Sequence, residues 1–105
     1  MTLSVRVYAQ AALHLVKLRR FDEAAREIAR VPDPGRRATL WIQLAHAAHR
    51  RGDLVYAVDA LNSAGREAAR EPETGPRLQA LFSVASAFVE VDPLRGFEAM
   101  QTALD

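Results

Sequence analysis

Cysteine is absent from the 105 residues, which excludes disulfides and thiolate metal ligands. Glycine and proline number five each and nowhere gather into a phosphate-cradling loop. There is no nucleophile elbow and no paired-carboxylate motif, so no catalysis is expected of this chain alone. Charge of one sign is also lacking. Thirteen Arg and a single Lys, Lys17, face thirteen acidic residues, for a formal net charge of +1. That leaves no overall field to draw nucleic acid or an anionic membrane. Long apolar runs are missing too. The N-terminal stretch MTLSVRVYAQAALHLVKL is broken by Arg6, Gln10, His14 and Lys17. It resembles neither a signal peptide nor a bilayer span, which makes the cytoplasm the default location. Finally, no segment alternates polar and apolar residues over a strand's length, and the expected fold class is all-α.

What is present is clearest from Trp41 to Ala64. Trp41, Leu44, Ala45 and Ala48 recur at i, i+3, i+4 and i+7, the spacing of one helix face. Leu54, Ala57, Val58, Leu61 and Ala64 repeat the pattern beyond Gly52-Asp53. Arg50 and Arg51 stand where the first helix's carbonyls end, Gly52 can close that helix in a left-handed conformation, and Asp53 can cap the next. So short a turn predicts an antiparallel helical hairpin.

The remaining chain reads the same way. A first helix is predicted over 3–18, with Val5, Tyr8, Ala11, Ala12, Leu15 and Leu18 inward. A second opens at Phe21-Asp22-Glu23, turns Ala24, Ala25 and Ile28 inward, and is stopped by Pro32. Asp33-Pro34 reads as cap plus first helical residue of the third. The fourth runs from Asp53 to about Arg70. After the breaker cluster Glu71–Pro76 a fifth is predicted to about Val91, burying Leu81, Val84, Ala85 and Phe88. Asp92-Pro93 starts a sixth, with Gly96, Phe97, Met100 and Leu104 inward.

These segments overlay. Tyr8…Ala12 matches Trp41…Ala45 at an offset of 33, and that matches Leu81…Ala85 at an offset of 40. Ala24, Ala57 and Gly96 correspond in the second helices, as do Ile28, Leu61 and Met100. Small residues recur because helix axes that cross closely leave no room for larger ones. Three units follow, roughly 5–37, 38–77 and 78–105, in a single domain.

Trp41-x-x-Leu44-Ala45-x-x-Ala48 and Gly52-Asp53…Ala57-x-x-x-Leu61-x-x-Ala64 resemble the tetratricopeptide repeat (TPR) signature, with Ala48 where the family has an aromatic. Phe88 restores that aromatic in the third unit. The resemblance covers nearly the whole chain. It implies a right-handed stack of three helix-turn-helix hairpins, six helices in all, and a non-catalytic protein-interaction scaffold. In that family a second stripe on each first helix lines a concave groove that receives an extended peptide or a partner helix. Here that stripe comprises Arg6, Ala9, Leu13 and Val16, then Thr39, Ile42, His46 and His49, then Gln79, Phe82, Ser86 and Val89, with Lys17 and Arg50 at the rim. The expected partner is a protein or peptide, not nucleic acid or membrane.

His46 and His49, with His14 on the first helix, invite comparison with a metal site. A pair at i, i+3 without a carboxylate or thiolate is an incomplete ligand set, so no metal or other cofactor is expected. The doublets Arg19-Arg20, Arg36-Arg37 and Arg50-Arg51 sit near helix ends beside acidic residues and form no contiguous basic face in the sequence. Two other functions fit the pattern. The apolar end carrying Phe97, Met100 and Leu104 has no successor, as in a cut solenoid or a homo-oligomer that self-associates there. The chain also suits a helical regulatory domain of a larger protein.

Overall fold

The computed structural model describes residues 2–94 and 101, with side chains placed from Val7 onward. These residues form five α-helices: α1 (Thr2–Lys17), α2 (Phe21–Ala29), α3 (Pro34–Arg50), α4 (Leu54–Ala69) and α5 (Thr74–Val91). The sixth helix predicted after Pro93, and with it Phe97, Met100 and Leu104, falls outside the described residues.

The helix starts follow local chemistry. Asp33 Oδ2 accepts from the Arg36 amide at 3.0 Å while Pro34 occupies the first helical position. Asp53 Oδ1 accepts from the Tyr56 amide at 3.0 Å. Each satisfies one amide that a helix start leaves unpaired. α5 begins at Thr74, earlier than the breaker cluster suggests. Gly75 and Pro76 lie in its first turn, where a missing N–H removes no intrahelical bond.

Two turns are built alike. At the end of α3, Gly52 N–H donates to His49 C=O at 2.9 Å and Asp53 N–H to Ala48 C=O at 3.0 Å, with Gly52 at φ 82°. At the end of α1, Arg19 N–H donates to Val16 C=O at 3.0 Å and Arg20 N–H to Leu15 C=O at 2.9 Å, with Arg19 at φ 64°. This is the Schellman arrangement in both cases, displaced by the 33 residues of the sequence repeat. Glycine takes that torsion freely, whereas a side-chain-bearing residue incurs roughly 1–2 kcal/mol there. Leu18 falls in this first turn and is exposed, not inward as its spacing predicts.

α1, α3 and α5 lie side by side in one row, with α3 in the middle. α2 nests over the junction of α1 and α3, and α4 over that of α3 and α5. The Cα envelope, 36 × 34 × 13 Å, is that of a slab two helices thick. Small residues set the spacing: Ala12, Ala24, Ala45, Ala48, Ala57, Ala64, Ala68 and Ala85 are all fully buried. Ile28, Val31, Leu44 and Leu61 are the largest side chains with no exposure, and truncating one of the three larger ones to Ala costs about 2–5 kcal/mol. Because α3 is flanked on several sides, it buries Ala38, Leu40 and Ala47 beyond the single predicted stripe, while Trp41 is only half-buried.

One ion pair lies mostly inside. Arg37 Nε donates to Glu67 Oε2, and Arg37 Nη1 donates to the Val31 carbonyl. The pair ties α3 to α4 and to the α2–α3 loop, and its side chains keep 17% and 14% of their surface exposed. Arg37 is therefore a structural strut and is withdrawn from the surface.

Candidate functional site

The broad face made by α1, α3 and α5 carries the residues expected to form a groove. Leu13, Val16 and Lys17 of α1 meet His46 and Arg50 of α3, together with Gln43, around a depression of about 300 Å³. On the other flank of α3, Ile42 and Thr39 meet Gln79, Ala80 and Ser83 of α5 around one of about 230 Å³. The face is thus two shallow furrows with α3 as the ridge between them. Helix geometry explains the grouping: residues three and four apart share a side, so Leu13, Val16 and Lys17 act together, as do Gln43, His46 and Arg50.

Burial separates the expected residues into two kinds. Ala9, Leu13, Val16 and Ile42 are half-buried and pack on the core. Phe82 and Val89 are 37% and 40% exposed, and Ser86, Lys17 and Arg50 are exposed as well. His46 and His49 are half-buried. The Arg6 side chain lies outside the described residues.

On α5 the predicted stripe divides, Gln79 and Ser86 falling on the side toward α3 and Phe82 and Val89 beside it. Gln79 and Ser83 line the furrow, and Glu90 Oε2 stands 3.7 Å from His46 Nδ1. With Ser86 these residues follow the i, i+4, i+7, i+11 pattern of one helix face. Phe82 and Val89 belong, with Leu78, to an adjoining exposed stripe about a quarter turn away. Gln43 and Ser83 are therefore furrow residues that periodicity overlooks, and Glu90 is a further neighbour of the furrow residue His46 that it overlooks. Polar residues inside a mixed stripe carry no hydrophobic signal, and Glu90 is marked only by its partner on another helix.

The edge where α1 and α3 end has a different character. Val16, Lys17, Arg19, Phe21, Ala47, Arg50 and Arg51 surround a depression of about 340 Å³. It shares Val16, Lys17 and Arg50 with the first furrow, so the two are continuous. The Arg51 guanidinium lies 6.0 Å from the Phe21 ring centroid, within cation–π range. The Phe21 and Tyr56 rings stand 5.5 Å apart, and Asp22 Oδ1 accepts from the Tyr56 hydroxyl at 3.4 Å. Burial first, and then the Asp22 carboxylate, push the Tyr56 phenol up to about 12. Among the described residues, Lys17, Arg19, Arg50 and Arg51 have no carboxylate in ion-pair range, whereas Arg20 is held by Glu23 at 2.6 Å.

Among the described residues no three His, Cys, Asp or Glu side chains gather as a metal would require, and no helix is long and apolar enough to cross a membrane. Comparison with protein-family models, with curated proteins and with solved structures returned no match.

Proposed function

We propose that this chain is a TPR-like, non-catalytic scaffold that holds a peptide or partner helix against the α1–α3–α5 face. The observation that carries the reading is the pair of furrows flanking α3, partly floored by apolar side chains and open to solvent. A slab two helices thick leaves such a face uncovered, which a closed bundle would not. The repeated turn and the buried alanines at 12, 45 and 85 support the hairpin-array architecture.

The test uses peptides selected from a random library on the immobilised chain. Ile42→Glu combined with Ser83→Glu, both on the furrow between α3 and α5, is expected to abolish their binding while far-UV circular dichroism stays unchanged. Peptides bound equally by parent and double variant would remove the face from consideration. A second reading, self-association, draws on Leu78, Phe82 and Val89 exposed along α5 and on Leu94, which is 81% exposed. Light scattering on the same preparation separates the two: a concentration-independent monomer that binds peptide supports the scaffold alone.

A further inference from the structure

We propose that the joint edge of α1 and α3 is an anion-binding site that selects acidic segments of a protein partner. The inference rests on the scaffold reading above and adds the chemistry of the ligand. Four cations, Lys17, Arg19, Arg50 and Arg51, line one depression, and none is neutralised by a carboxylate among the described residues. Three arginines and one lysine thus converge on one concave surface.

Helix-end electrostatics accounts for part of the cluster. Lys17, Arg50 and Arg51 stand where the α1 and α3 carbonyl ends carry partial negative charge, which favours cations there without any ligand. Arg19, just past the end of α1, gains in the same way, but its position carries a cost that the other three do not bear. It occupies the left-handed torsion of a Schellman turn, at φ 64°, where the equivalent turn of α3 has Gly52. Glycine there would relieve the backbone, so the arginine works against stability and brings a positive charge to the depression. A strained residue whose side chain lines a concave surface is the pattern expected where strain serves binding.

The surroundings decide the class of anion. Val16, Phe21 and Ala47 supply apolar walls between the cations, and the edge continues into the furrow floored by Leu13 and Val16. Acidic residues close the patch on its far side, with Asp53 on the adjoining depression beside Phe21 and Arg51, and Asp22 next to Tyr56. A phosphodiester chain needs a basic stripe that runs on; this one is compact and bounded. A few glutamates or aspartates flanked by apolar side chains match both the charge and the walls. Arginine forks also bind carboxylates with two parallel hydrogen bonds.

Fluorescence anisotropy with a fluorescein-labelled, glutamate-rich peptide carrying two leucines tests the site in the full chain. The parent protein should bind it, bind the glutamine-for-glutamate counterpart far more weakly, and lose affinity as salt rises to ~0.5 M. Arg19→Gly should weaken binding about fivefold, and adding Arg50→Gln should bring the loss to about twentyfold, as for partly exposed ion pairs. Arg19→Gly should at the same time melt no lower than the parent, so its loss of binding cannot be a loss of fold. Unchanged binding by Arg19→Gly, equal binding of the glutamine peptide, absence of binding by the parent, or tighter binding of an oligothymidylate would each overturn the proposal. A glutamine peptide that binds the parent equally but not Ile42→Glu/Ser83→Glu leaves the face as a scaffold and removes only the acidic selectivity.

Discussion

Tyr56 shows how one side chain joins two hairpins. Its ring meets Phe21 and its hydroxyl meets Asp22, both at the start of α2, although it belongs to α4. The raised phenol pKa means that the folded state favours the neutral form. Its contribution to stability is therefore complete below about pH 10 and is lost as pH climbs through about 12. In Tyr8→Phe, where Tyr56 is the sole tyrosine, tyrosinate absorbance should have its midpoint at about 12. A midpoint near the ordinary ~10 would mean that the hydroxyl does not sit against α2. Tyr56 is not marked in the sequence, and Arg19 is marked only as half of a basic doublet, not as a turn residue. The one depends on a contact between helices 34 residues apart, and the other occupies a turn position where glycine is the usual signal and is missing.

Among the elements, the α3–α4 hairpin was the most legible because each of its parts has a local cause. Gly52 closes α3, Asp53 caps α4, and the small residues Ala45 and Ala57 vanish from the surface where the helices cross. Ala45→Leu is expected to cost about 1–3 kcal/mol through overpacking, measured by urea unfolding. An unchanged midpoint would show that the α3–α4 crossing has room to spare. Periodicity served less well wherever a helix has several neighbours. α3 touches α1, α2, α4 and α5, so a one-stripe reading finds Leu44 and Ala45 but passes over Leu40 and Ala47. On α5 the same method chose Gln79, Phe82, Ser86 and Val89; Gln79 does line the furrow, but Ser83 beside it and Glu90 opposite His46 were passed over, and Phe82 and Val89 point elsewhere. A mixed helix face is specified by what packs against it, and that lies elsewhere in the chain.

At the scale of the whole molecule, the Arg37–Glu67 pair binds the middle of the slab together. Arg37→Met leaves Glu67, among the described residues, with Arg70 alone at 3.2 Å, and removes the Arg37 donor from the Val31 carbonyl. The expected loss is about 3 kcal/mol by urea unfolding, the lower end for breaking a mostly buried pair. Arg37→Met with Glu67→Leu should recover a large part of it, since a well-packed apolar replacement leaves no stranded charge. A double variant as unstable as the single one would place the cost in packing instead of charge. The two Schellman turns carry a different consequence. One bend occurs twice in the same molecule, once with a bare hydrogen at the critical carbon and once with a full side chain. The protein is thus its own calibration standard, and any earlier fraying of the first bend relative to the second gauges how much firmness has been exchanged for charge at that corner.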